Sequence, residues 1–176
     1  AVQVLLMNSN GTMKSSVKIA SGTNGGPTLA GNDRFGRSVA SLGDLDGDGV
    51  TDLAVGAFLD DTGGNARGAV HVLLLNANGT VKSTVKIANG TGGGPTLMDG
   101  DNFGWSLASM GDLDGDGVAE LAVGAYNDST GGSSRGAVHV LFLNPPAGFT
   151  VTQSGGATSV NESGTTDTFT VVLNSR

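Results

Sequence analysis

The residues best equipped for chemistry in this 176-residue chain are carboxylates in two runs, DLDGDGVTD at Asp44 to Asp52 and DLDGDGVAE at Asp112 to Glu120. Each run places acids at its first, third, fifth and ninth positions. Gly47 and Gly49, free to take positive φ without a Cβ clash, would curl those alternate side chains toward a common centre. Two like charges at about 4 Å repel by about 1 kcal/mol in water and about 4 kcal/mol at an effective dielectric near 20. A compact loop of four acids is therefore costly unless a cation joins it. Ca²⁺ suits the donor set, since it accepts about six to eight oxygens at about 2.3 to 2.6 Å in flexible geometry. The spacing assigns Asp44, Asp46, Asp48 and Asp52 as side-chain ligands, with the carbonyl of Val50 at the seventh position. Asp112, Asp114, Asp116, the carbonyl of Val118 and Glu120 repeat the assignment, giving two Ca²⁺ sites, one per repeat.

A polar hairpin turn is the plainer reading of Asp and Gly together. It explains one or two such residues, not four acids at fixed spacing twice over in a chain with 14% charged residues. A helix-loop-helix calcium loop would want Glu at its twelfth position; Val55 and Val123 stand there, and the flanking segments read as strands. Catalytic alternatives are thin: there is no Cys, no Gly-X-Ser-X-Gly elbow and no phosphate loop. The expectation is that the chain is not an enzyme. His71 and His139 share a position that holds Gln3 in the first copy, which suits a surface or inter-blade polar site better than a ligand or base. Trp105 stands where the first copy has Arg37, as an accessible contact position would allow. Arg67 and Arg135 recur before Gly-Ala-Val and are expected to pair with a loop acid. Asn10, Asn78, Asn89, Asn127 and Asn161 lie in Asn-X-Ser/Thr sequons, a pattern common by chance in so polar a chain.

The elements that must position these loops come from an internal repeat. AVQVLLMN at Ala1, AVHVLLLN at Ala69 and AVHVLFLN at Ala137 are spaced by 68 residues, and 47 of 68 positions are identical between 1–68 and 69–136 without a gap. The organisation is thus a repeat region 1–144 (repeats 1–68 and 69–136 plus the first strand of a third copy, 137–144), a Pro-rich linker 145–148, and a β-strand segment 149–176. The first copy begins in mid-phase, which reads as a piece of a longer chain. Phe35 to Gly43, Asp52 to Ala57, Ala69 to Leu75 and Thr84 to Ala88 read as four short strands between Gly, Asn and Asp clusters. Ala69 to Leu75 is almost continuously apolar, so its sheet should be covered on both faces. The fold expected is all-β: four-stranded antiparallel blades of β-propeller type, either as an open array or as part of a larger or oligomeric propeller, because two repeats are fewer than the roughly four to eight blades a ring needs.

FGRSVASLGDLDGDGVTDLAVGA and FGWSLASMGDLDGDGVAELAVGA, each followed by GAVHVL, resemble FG-GAP repeats, the blades of the integrin α-subunit propeller and of many bacterial surface proteins. That resemblance covers about residues 1 to 144 and implies a propeller fold, Ca²⁺ in the loops and an extracellular or cell-surface setting. The family's Gly-Ala-Pro is replaced by Gly56-Ala57-Phe58 and Gly124-Ala125-Tyr126. Residues 149–176 resemble the opening strands of a Calx-β-type module. The function expected is a calcium-binding extracellular structural or adhesive repeat protein, a unit of a surface fibre or array. The alternatives are a ligand-binding propeller head using loops such as Asp60 to Ala66 and Asn127 to Ser134, or accessory blades of a secreted enzyme. The partner expected is a protein or surface glycan, or the chain itself through strand edges.

Composition narrows the field further. With 16 acids against 9 bases the formal charge is −7, which disfavours a phosphate backbone as partner, and no apolar run approaches the about 20 residues of a membrane span. Eight of the 16 acids sit in the two loops, leaving eight against nine bases. The rest of the chain is nearly neutral, and two bound Ca²⁺ would bring −7 to −3.

Overall fold

The Phe-Gly pairs at the head of each repeat motif set the spacing of the sheets. The computed structural model of the chain describes residues 1–144, which are all-β. Its strands are β1 (Val2–Met7), β2 (Met13–Ile19), β3 (Val39–Gly43), β4 (Asp52–Ala57), β5 (Ala69–Leu75), β6 (Val81–Ala88), β7 (Phe103–Gly111), β8 (Glu120–Ala125) and β9 (Ala137–Leu141). All neighbours pair antiparallel, in three open sheets: β1-β2, β3-β4-β5-β6 and β7-β8-β9. The sheets have the antiparallel meander order expected of propeller blades and do not close into a ring among the described residues.

β4 and β5 take the bounds their sequence implies, whereas β3 begins at Val39 instead of Phe35. Arg34 and Gly36 adopt φ of 59° and 87°, and Arg37 N donates to Arg34 O at 3.2 Å, so a turn replaces the strand's start. β6 starts at Val81, earlier than Thr84, because Leu75 pairs with Val81 across the Asn76–Thr80 turn. The 68-residue repeats are out of phase with the sheets. The four-stranded sheet takes β3 and β4 from residues 1–68 and β5 and β6 from 69–136, so this blade is stitched from two copies. The linker 145–148 and the segment 149–176 lie outside the described residues.

The two apolar layers lie between successive sheets. Val2, Val4 and Ile19 of the first sheet meet Val55, Ala57, Leu73, Leu75 and Val81 of the second, with Phe35. Val70, Val72, Ile87, Ala54 and Leu42 on the second sheet's other face meet Phe103, Leu121, Val123 and Ala125 of the third. The middle sheet is covered on both sides, which is why β5 is buried along nearly its whole length. Phe103 fills one layer, and Gly104 allows the backbones to approach. It has φ of 88°, and a Cβ there would sit 2.4 Å from Ala69 O. Ser38 Oγ fastens the same junction by donating to Gly104 O at 2.7 Å.

Candidate metal centres

Each acidic run forms the turn between the first two strands of its motif, β3 to β4 and β7 to β8. Gly47, Gly49, Gly115 and Gly117 all take positive φ, 76° to 90°, as a loop curling its alternate side chains inward demands. The first acid of each run organises the turn. Asp44 Oδ1 accepts from Gly47 N at 2.8 Å and Asp48 N at 3.0 Å, and Oδ2 from Gly49 N at 2.7 Å. Asp112 repeats this with Gly115, Asp116 and Gly117 at 2.7, 3.1 and 3.0 Å. The fifth acids, Asp48 and Asp116, each accept the backbone N–H two residues on, from Val50 and Val118, at 2.9 Å.

In the first loop, carboxylate oxygens of Asp44, Asp46 and Asp48 lie within 4.8 Å of one another; in the second, those of Asp112, Asp114 and Glu120 do. Asp52 and Asp116 fall outside these triplets. Asp52 is fully buried and turned toward the backbone, accepting Leu45 N through Oδ2 and Leu75 N through Oδ1, both at 2.9 Å. Burial pushes its pKa up against those two hydrogen bonds. Glu120 is one methylene longer and equally buried. Its Oε2 accepts Leu113 N at 2.5 Å, while Oε1 has no partner. Val118 is buried, and Val50 packs against the layer between the first two sheets. The donor sets are all oxygen, and two buried oxygens lack partners, Asp46 Oδ1 and Glu120 Oε1. A hard cation fits such a set.

The two loops differ through Lys82, which the loop sequences do not foreshadow. From β6 its Nζ reaches Asp46 Oδ2 at 2.6 Å and also Asp48 Oδ2. The two carboxylates, Asp46 first, push the Lys82 pKa up, and the lysine's hydrogen bond holds Asp48 below its ordinary value. An internal ammonium therefore serves the first loop as counter-ion. Its signal was a lysine beside the β5–β6 turn, readable only once β6 is known to pass the loop.

The far ends of the strands carry a different cluster. Phe58 follows β4 and Tyr126 follows β8, and both pack on Trp105, with ring centroids 4.7 and 4.4 Å away. The Arg37 guanidinium lies 4.2 Å from the Trp105 ring centroid. Residues that are alternatives at one repeat position thus touch across neighbouring blades. Asp60 and Asp128 in the adjoining loops are buried, not displayed: each accepts a backbone N–H two residues on, and Asp60 pairs with Lys86 at 2.6 Å. Arg67 finds its loop acid in Asp99 at 2.7 Å. His71 is buried against the edge of Phe35 with neither ring nitrogen hydrogen-bonded, and burial pulls its pKa down to about 4. It is an inter-blade residue. Asn127 donates Nδ2 to Gly100 O, and Asn10, Asn78 and Asn89 accept from Thr12 N, Thr80 N and Leu97 N, so four of the sequon asparagines bind the backbone.

The Phe-Gly head, acidic turn and Val-Gly-Ala strand occur twice in that order, and the two segments that carry them, residues 35–73 and 103–141, match the FG-GAP repeat. Within that class the chain is integrin-α-like. It is 37% identical over 138 residues to integrin alpha-5 of Xenopus laevis, covering 73% of this chain and 13% of that protein. It is 40% identical over 93 residues to human integrin alpha-IIb, covering 53% and 8%, and 38% identical over 93 residues to mouse integrin alpha-8, again covering 53% and 8%. The chain therefore spans only about a tenth of the length of these relatives. No helix among the described residues is long and apolar enough to cross a membrane.

Proposed function

We propose that the chain is a calcium-binding extracellular repeat protein of structural or adhesive type, in which each acidic turn holds one Ca²⁺ and no bond is made or broken. The observation that carries the reading is the buried, partnerless Oε1 of Glu120, whose carboxylate shares one small space with those of Asp112 and Asp114. Asp114 and Glu120 would supply oxygens to the ion, and Asp112 would do so while its backbone hydrogen bonds hold the turn in shape. The Val118 carbonyl and Asp116 would complete the set, with Asp44, Asp46, Asp48, Asp52 and the Val50 carbonyl as their counterparts. The ion would supply the positive charge that lets the turn stay compact, stiffening the edge of each blade. Affinity in the range of about 10⁻⁴ to 10⁻³ M, usual for extracellular modules, would suit that setting. The partner would be a protein or a surface glycan, as befits integrin-α-like blades in a fibre or array.

Calorimetric titration of chelator-stripped protein tests this reading. Two binding events are expected, with the second loop's event lost in an Asp112→Asn, Glu120→Gln double variant. The absence of any heat at millimolar Ca²⁺ would overturn it. A second reading, a ligand-binding head, is favoured by the Phe58–Trp105–Tyr126 cluster and Arg37 at the opposite end of the strands from the acidic turns. Loss of ligand or cell attachment in Trp105→Ala with Ca²⁺ binding unchanged would support it over a purely structural role.

A further inference from the structure

The two acidic turns share one spacing of donors, yet their surroundings differ at three points. The first is the ninth acid. Asp52 engages both oxygens with the backbone N–H groups of Leu45 and Leu75, whereas its repeat mate Glu120, 0% exposed, keeps Oε1 without a partner. The second is the lysine. Val81 is buried in the layer between the first two sheets and Lys82 follows it in β6, where the Nζ lies 2.6 Å from Asp46 Oδ2 and also contacts Asp48 Oδ2. The third is written in the sequence: Thr150 stands 68 residues on from Lys82, and the chain carries no lysine after Lys86. Lys86 is itself paired with Asp60 at 2.6 Å, and Lys14 and Lys18 belong to β2 of the first sheet. Among the described residues no lysine or arginine pairs with an acid of the second turn.

A tethered ammonium does for the first turn part of what a divalent ion would do for the second. In both turns the first acid holds three backbone N–H groups, so the scaffold is the same. The charge balance is not, and like charges at about 4 Å repel by about 1 to 4 kcal/mol depending on the dielectric around them. We propose that the two turns divide the calcium response: Lys82 keeps the first turn in shape without the ion, while the second is stable only with Ca²⁺ in place and fills first. This division rests on the calcium-binding reading and specifies its regulation. An ion entering the first turn must expel the Lys82 ammonium before it can use Asp46 Oδ2 and Asp48 Oδ2. An ion entering the second meets Glu120 Oε1, already desolvated and with no partner to surrender. Asp46 Oδ1, also without a partner, leaves the first turn able to bind at higher concentration. Calcium depletion therefore loosens the β7–β8 turn and spares the β3–β4 turn.

Amide hydrogen exchange of the 176-residue chain, read by mass spectrometry on peptides covering each turn in chelator and across a Ca²⁺ titration, tests the division. The amides that report are those of Gly47, Asp48 and Gly49 in the first turn and of Gly115, Asp116 and Gly117 in the second. In chelator the second set should exchange about tenfold or more faster than the first. Ca²⁺ should slow it at concentrations roughly three- to tenfold below those that alter the first turn. Lys82→Met should make the first turn exchange like the second in chelator and recover protection in Ca²⁺, whereas Lys82→Arg, which keeps a cation there, should not. The comparison of the two turns within the unsubstituted chain holds even where a variant does not fold. Equal exchange of the turns in chelator, a response of both at one Ca²⁺ concentration, or a first turn that stays protected in Lys82→Met would overturn the division while leaving calcium binding intact. No response of either turn to millimolar Ca²⁺ would overturn the calcium reading, and the division with it.

Discussion

Lys82 and Glu120 make two near-identical acidic turns unequal. Lys82 Nζ contacts Asp46 and Asp48 of the first loop, so a cation entering that loop must displace an ammonium that the second loop's described neighbours do not supply. The expected outcome of Lys82→Met is a roughly three- to tenfold gain in Ca²⁺ affinity at the first loop, the scale of losing a partly exposed pair of ionic contacts. Terbium luminescence or calorimetry would read it, and an unchanged second site serves as internal control. His71 gives the residue scale a pH signature. Burial, aided by Lys86 and opposed by Asp60, holds its folded-state pKa near 4, below its unfolded value of 6.5. Its contribution to stability is therefore complete above pH 6.5 and is lost as pH falls toward 4, by up to about 3 kcal/mol. Urea unfolding at several pH values should show that slope, flattened in His71→Gln, which installs the residue found at the first copy's matching position, Gln3.

At the scale of elements, the blade junction depends on the Phe-Gly head more than on any loop. Phe103 is fully buried between sheets, and Phe103→Ala should cost about 3 to 5 kcal/mol by leaving a cavity. Gly104→Ala places a Cβ 2.4 Å from Ala69 O at φ of 88°, and should cost about 2 kcal/mol or more with no loss of apolar area. Chemical denaturation of both would separate packing from backbone approach; a neutral Gly104→Ala would show that the sheets can part there without penalty. Much of this level was legible beforehand. The bounds of β4 and β5 follow from their apolar runs, but β3 starts at Val39 whereas β7, with the same left-handed φ at Asn102 and Gly104, starts at Phe103, which bridges Gly68: pairing with a distant segment, not the local residues, decides where the strand begins. The phase of the blades was also hidden. Repetition in sequence fixes the period of the array, whereas hydrogen bonding decides which four strands make one sheet.

For the whole molecule, stability and cation concentration should be coupled. Saturating both proposed sites at about ten times their dissociation constants would add about 1.4 kcal/mol each, raising the melting temperature by roughly 5 to 10 °C. Differential scanning calorimetry in Ca²⁺ and in chelator reads this directly, and coincident curves would mean that neither turn binds the ion. By itself the sequence determined the period of 68 residues, the all-β class, the acidic turns and the Phe-Gly junctions, because each is written in local chemistry: φ freedom at Gly, charge spacing at Asp, apolar runs in strands. Only the tertiary structure decided that Asp52 faces the backbone while Glu120 keeps an oxygen free, that Lys82 enters the first loop, and that Arg37 rests on Trp105. It also decided that Val70 is buried while Val138, in the same AVHVL, is not. Burial belongs to a pair of surfaces, and five identical residues cannot specify whether another sheet lies on top of them.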